Sequence, residues 1–411
     1  MRFIGKKSIS VILVRLMLIS MVGFWMVSCS LPKTHLQSSP ESFAFSWDTG
    51  TFAEYVDYTK QYVSRNRVYL DEHNQSRELA ANTPFELKPT LPGSVKANQP
   101  KRGILLIHGL SDAPYSMRDL AHSLSQHGFM VRVILLPGHG TRPGDSVGMK
   151  AEQWYRTAEF GLKSLKKDVD KVYLGGFSTG ANISMTLALR DSNIDGLALF
   201  SPAFKLKWEY PTALATLDLF MDWLSDYPIE DYSKYSSFSI NSLQQFYITS
   251  DRVQKEMDKG KRSSIPVFMA LSENDSVVNV NYVKQVFNRN LSNPGNRMIY
   301  FRNTQVIDKS IQDSRIVVRE SYLPQKRILN MSHMAIPNRS INQHYGASAD
   351  YRCCVMNKSG FGYDTCVSAK KDELWFAGWG TTADGKTIAR LTYNPYFDEM
   401  VELMIDTLVG Q

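Results

Sequence analysis

Apolar residues recur along this chain with two different periods, and the places where one yields to the other organise it. Short continuous apolar runs at Ile104–Ile107, Val131–Leu136, Val172–Leu174 and Val267–Leu271 have the β-branched and aromatic content of buried strands. Between them, apolar positions suited to helices packed on a sheet mark Met117–Gln126, the run Ala181, Ile183, Met185, Leu187 and Leu189, and the stretch from Tyr282 onward. From Arg102 the alternation of strand and helix predicts a βαβ unit and a parallel sheet. "PFELKP", Pro84 to Pro89, reads as a first edge strand, and Met298–Phe301 and Ser314–Ser321 as two further strands joined by a polar turn. Thr51 and Glu54 form a capping-box signature, and Phe52, Tyr55, Val56, Tyr62, Val63 and Tyr69 behind it predict a helix packed on the body. At the end of the chain Phe397, Met400, Val401, Met404 and Ile405 share one face of an amphipathic helix.

Composition adds a size and a compartment. With 411 residues and 43% hydrophobic content the chain can bury one large core. Arg2, Lys6 and Lys7 precede an apolar stretch, Leu16 to Val27, that is too short to span a bilayer comfortably and ends in Ser28 and Cys29. This predicts a signal peptide over 1–28. A Ser-, Pro- and Gln-containing linker over 29–50 and a helical segment over 51–83 are expected to follow, then the main domain over 84–411 with an insertion at about 203–261. The formal charge of +7 comes largely from the leader, since without its four basic residues the balance is 43 against 40. No basic cluster interleaved with aromatics appears, so a nucleic-acid role has no support. Beyond Cys29 stand Cys353, Cys354 and Cys366, an odd number for a compartment that oxidises thiols. Cys366 is expected to pair with one of the two adjacent cysteines, with free thiols as the alternative.

One apolar run ends in chemistry. Gly176-Phe177-Ser178-Thr179-Gly180 lies where the strand Val172–Leu174 turns into a helix, and a turn that sharp strains the serine while its flanking glycines make room. His108-Gly109 follows the strand Ile104–Ile107, and "LPGHG" ends at Gly140. Together these three stretches resemble the α/β-hydrolase superfamily, near its monoacylglycerol lipase, lysophospholipase and carboxylesterase branches. The resemblance implies an α/β fold, with a mostly parallel central sheet flanked by helices and a helical cap inserted at 203–261. It implies Ser178 as nucleophile, with the Leu110 and Thr179 backbone N–H groups as oxyanion donors.

In such chains the acid and the histidine follow the serine in that order. Asp275, in the turn after Val267–Leu271, is similar to the superfamily's acid loop, with Glu273, Asp308 and Asp313 as alternatives. Only His333 and His344 lie beyond it, and "RILNMSHMAIP" makes His333 the expected base and His344 a loop residue. The 58-residue spacing from Asp275 to His333 is longer than the close branches usually have. His108 and His139 precede the serine and read as structural.

The cap's Trp208, Tyr210, Phe220, Trp223, Tyr227, Phe246 and Tyr247 are expected mainly to pack, around a helix carrying Leu214, Leu217, Met221 and Leu224. No Arg or Lys cluster there is placed to hold an anionic head group. Cys29 resembles a bacterial lipobox cysteine, though Met26 and Arg15 depart from that pattern. Ser30 after it resembles the outer-membrane sorting preference. No metal-ligand spacing is present, and neither metal nor cofactor is expected.

The expectation is a lipid-anchored envelope protein, on the periplasmic or surface side, that hydrolyses acyl or lipid esters through Ser178, Asp275 and His333. An aminopeptidase or amidase of the same superfamily is one alternative. A non-catalytic envelope lipoprotein on the same fold is the other.

Overall fold

The computed structural model describes residues 33–90, 100–208, 220–304, 308–354 and 362–410. The leader, Cys29 and the cap positions Tyr210, Leu214 and Leu217 lie outside these residues.

Along the chain run β1 (Phe85–Leu87), β2 (Arg102–Ile107), β3 (Phe129–Ile134), β4 (Lys171–Phe177) and β5 (Gly196–Phe200), then a ribbon of β6 (Trp223–Ser225) and β7 (Phe238–Ser239). After them come β8 (Val267–Ser272), β9 (Arg297–Arg302) and β10 (Ile316–Glu320), and a second ribbon, β11 (Leu374–Ala377) with β12 (Thr387–Arg390). Eight strands form one sheet in the order β1-β3-β2-β4-β5-β8-β9-β10. Every pairing is parallel except β1 with β3. Helices Ala151–Leu165, Thr179–Ala188 and Phe397–Val409 are among those that cover it.

Burial explains the sequence pattern. β2, β4, β5 and β8 lie inside the sheet with almost every residue buried, hence continuous apolar runs without alternation. This is the expected α/β-hydrolase architecture, a mostly parallel sheet with helical layers. Two apolar clusters form the core, one containing Trp154, Ile183 and Phe287 and the other Phe129, Phe268 and Met404.

Several local expectations meet different outcomes. The Thr51 capping box is present, but its helix ends at Asn66, so Tyr69 lies beyond it. The stretch read as a linker is folded from residue 33 onward, with Phe43, Phe45 and Trp47 packed on the core and Phe45 and Trp47 edge-on to Phe160 at 5.3 and 5.5 Å. Its Ser and Pro content masked three aromatics whose burial offsets the cost of ordering the backbone. The two strands expected before His333 are present as β9 and β10; they extend the main sheet in parallel, which accounts for much of the long spacing. Ahead of His333, Ile328 makes isolated bridges to Leu323 and Phe376.

Candidate active site

All interior strands point the same way, so the loops after β2, β4, β5 and β8 gather at one edge of the sheet. Ser178 follows β4 directly. Its φ of 54° and ψ of −111° put an L-residue in a strained conformation, one that persists only where surrounding structure enforces it. The enforcement is visible: Ser178 N–H donates to Phe200 O at 2.9 Å, and its carbonyl accepts from Ala181 and Asn182. The two glycines of the pentapeptide are sterically required. A Cβ on Gly176 would lie 2.2 Å from Gly180 C, and one on Gly180 would lie 2.0 Å from Ile107 O.

Asp275 lies three residues beyond β8 and is buried. Its Oδ1 accepts from Val277 and Val278 N–H at 2.8 and 3.0 Å, and its Oδ2 meets His333 Nδ1 at 2.7 Å. Burial works to raise the carboxyl pKa, but the His333 interaction and the two N–H donors outweigh it and hold the group below the usual carboxylate range. The pair is therefore built to keep Asp275 ionised, with the proton on His333 Nδ1.

The His333 loop is tied to the same edge, since Ser272 Oγ donates to Met331 O at 2.7 Å and Ser201 Oγ to His333 O at 3.3 Å. The His333 ring lies 5.0 Å from the ring of Phe177, the residue before Ser178. Neither Ser178 Oγ nor His333 Nε2 carries a hydrogen bond among the described residues, so both remain available to a reacting group. Glu273, Asp308 and Asp313 are engaged elsewhere: Glu273 caps Asn303 and Thr304 N–H, while Asp308 pairs with Lys284 and Asp313 with Arg315.

Thr179 follows Ser178 directly and Leu110 lies in the loop after β2, and neither backbone N–H has an acceptor among the described residues. A Cβ on Gly109 would lie 3.3 Å from Ser178 Cβ, which shows how closely the loop after β2 approaches the serine. Two histidines hold that loop. His108 Nε2 accepts from Leu136 N–H at 3.0 Å, and His139 Nε2 accepts from Ser111 N–H at 3.1 Å, where Ser111 has a φ of 59°. Full burial, reinforced for each by a nearby cation or the other imidazole, pushes both pKa values down to about 3. Both rings are neutral and structural, as the chain order implies, and His139 is a direct brace of the Leu110–Ser111 turn.

The structure also assembles groups that sequence reasoning missed. Lys234, in the cap insertion, forms an ion pair with buried Asp112 at 3.2 Å, and its ammonium lies 5.9 Å from the Phe177 ring centroid. The one cation beside the serine loop that these contacts reveal is thus already partnered. His344 is not a simple loop residue: it is buried and bonds Asp231 at 2.9 Å, while Tyr345 donates to the same carboxylate at 2.6 Å. Burial opposes the ionised form of Asp231, yet these partners bring its pKa down to about 2. Nothing in the local pattern around Asp231 signals a partner 113 residues away.

Cys366 bonds Cys354, and Cys353 remains a buried free thiol. No cluster of three or more His, Cys, Asp or Glu residues suited to a metal occurs among the described residues. A cleft of about 900 Å³ lined by Tyr282, Arg289 and Arg315 among others contains none of the candidate residues.

Residues 98–237 match the family described as serine aminopeptidase, S33. The chain is 25% identical over 224 residues to the thermostable monoacylglycerol lipase of Bacillus sp. (strain H-257), an alignment covering 53% of this chain and 88% of that protein. Among solved structures it resembles a Paleococcus ferrophilus monoacylglycerol lipase at 20% identity and a TM-score of 0.43, covering 53% of this chain and 87% of the other. It also resembles a soluble variant of the Saccharomyces cerevisiae monoglyceride lipase at 15% identity and a TM-score of 0.45, covering 57% and 85%.

Proposed function

From the α/β-hydrolase fold and the similarity to a monoacylglycerol lipase, we propose that the chain is a serine esterase cleaving neutral acyl esters at Ser178. In this reading His333 Nε2 takes the Ser178 proton, the serine oxygen attacks the ester carbonyl, and the alcohol leaves with the proton His333 returns. The Leu110 and Thr179 N–H groups stabilise the oxyanion without reorganising. Water then attacks the acyl-enzyme by the same route and releases the acid. Asp275 stays ionised throughout and stabilises the imidazolium.

The observation that carries the reading is the buried Asp275–His333 pair at 2.7 Å, with the imidazole 5.0 Å from the ring of Phe177, the residue before a serine strained at φ 54°. Ester is favoured over peptide by the similarity to a monoacylglycerol lipase, and Lys234, the cation found near Phe177, is already paired with Asp112. We further propose that the mature protein is acylated at Cys29 and held at the outer membrane.

The test is labelling by a fluorophosphonate probe with turnover of p-nitrophenyl butyrate. Wild type should react, and a folded Ser178→Ala variant should neither label nor turn over. Full activity in that variant would end the proposal, and faster cleavage of aminoacyl anilides than of esters would favour an aminopeptidase.

A further inference from the structure

Three large apolar side chains stand exposed within five residues of one another on the cap: Phe220 at 82%, Met221 at 49% and Leu224 at 52%. Single exposed apolar residues are ordinary, but a cluster this tight marks a surface that something covers. Leu224, expected from the sequence on a cap helix, belongs instead to β6 of a hydrogen-bonded ribbon. β6 pairs with β7, Ile240 N–H donates to Asp222 O at 2.8 Å, Phe238 N–H to Ser225 Oγ at 3.1 Å and Tyr227 N–H to Ser237 Oγ at 2.9 Å. The apolar tip is thus presented by an ordered element.

The contacts of Lys33 and His35 indicate what covers it. Lys33 Nζ forms an ion pair with Asp226, and His35 Nε2 lies 3.9 Å from the same carboxylate, two positions along the ribbon from Leu224. Cys29 is four residues before Lys33, a span of at most about 14 Å even fully extended. An acyl group on Cys29 would therefore enter a bilayer close to the apolar tip. Tethering of this kind gives the tip an effective concentration of millimolar order at the membrane, so that even weak insertion becomes populated. An anchor alone leaves the body free to tumble on its tether, whereas a second contact fixes its orientation.

We propose that Phe220, Met221 and Leu224 dip into the phospholipid bilayer that carries the protein's own N-terminal anchor and so orient the active site toward that surface. The inference rests on the anchored-esterase reading above. The segment between β6 and β7 also touches the candidate site: Lys234 Nζ lies 5.9 Å from the Phe177 ring centroid, and Tyr235 N–H donates to Ser111 O at 2.7 Å, on the loop that carries Leu110. Seating the ribbon on a bilayer brings this wall to the membrane, where a lipid ester can enter without crossing bulk water.

The test uses the full-length protein on phosphatidylethanolamine–phosphatidylglycerol vesicles, with a nitrobenzoxadiazole label at Leu224→Cys and nitroxide-bearing lipids as quencher. The label should shift to the blue and be quenched. The triple change of Phe220, Met221 and Leu224 to Ser should lower hydrolysis of a vesicle-embedded monoacylglycerol at least fivefold and leave p-nitrophenyl acetate turnover unchanged. A label that stays in water on protein floating with the vesicles overturns the membrane-dipping edge while leaving the anchor intact. Unchanged vesicle hydrolysis by the triple variant overturns the orienting role. Protein that does not float at all removes anchor and edge together. Loss of turnover on both substrates in wild type is a failure of the esterase reading, visible separately from the quenching.

Discussion

Asp275→Asn tests the site more sharply than removing the serine, because the structure dictates how the amide must sit. Asp275 Oδ1 is held by the N–H groups of Val277 and Val278 at 2.8 and 3.0 Å, so only the carbonyl oxygen of asparagine can occupy that position. Its NH2 is then left facing His333 Nδ1 from the position where Oδ2 stood at 2.7 Å. Two donors cannot face each other, so Nδ1 must become an acceptor and the imidazole proton moves to Nε2. That nitrogen can no longer accept the Ser178 proton. The wrong tautomer in a serine triad lowers kcat on the order of 10⁴-fold, or about 5 kcal/mol of barrier. Stability should change less. The folded-state pKa of Asp275 is depressed, so its contribution is present above the usual carboxylate range and lost as pH falls through the folded value. At neutral pH the variant forfeits that contribution and should still fold. The assay is kcat on p-nitrophenyl butyrate, with circular dichroism and thermal unfolding run on the same sample. A folded Asp275→Asn enzyme within tenfold of wild type would refute the tautomer argument and the role given to Asp275.

Gly180→Ala places a Cβ 2.0 Å from Ile107 O and should destabilise the protein by roughly 3 to 5 kcal/mol or prevent folding, read by denaturant unfolding; a variant of wild-type stability would contradict the tight elbow. His139→Ala frees the Ser111 N–H and should cost about ten- to a hundredfold in kcat with little change in KM, since it loosens the oxyanion turn without touching substrate; an unchanged kcat would deny it that bracing role. Asp231, held at a pKa of about 2, should contribute roughly 2 kcal/mol that is fully present above about pH 4 and lost as pH falls toward 2, so Asp231→Asn should flatten acid unfolding over that window, and an unaltered acid profile would count against the buried pair. Across straight-chain p-nitrophenyl esters, kcat/KM should rise severalfold per carbon from acetyl to at least hexanoyl, because each buried methylene contributes up to about 0.8 kcal/mol; a maximum at acetyl would remove the lipase reading.

What the sequence determined by itself was local: a residue's own conformational limits and its immediate neighbours. Gly176 and Gly180 around Ser178, the continuous apolar runs and the Thr51 capping box are each written within a few residues, and β4, the elbow and the first long helix form where those signals stand. The place of Asp275 in the turn after an apolar strand was legible for the same reason. Tertiary structure decided everything that depends on which distant segments meet. The 58-residue step from Asp275 to His333 holds two strands legible in the sequence, whose parallel addition to the main sheet only sheet closure could assign. The choice of Cys354 over Cys353 for Cys366, the burial of Phe43, Phe45 and Trp47, and the Asp231–His344 pair arise the same way. Local propensity cannot encode such pairings, because their stabilisation comes from desolvation and partners that exist only once the chain has closed around them.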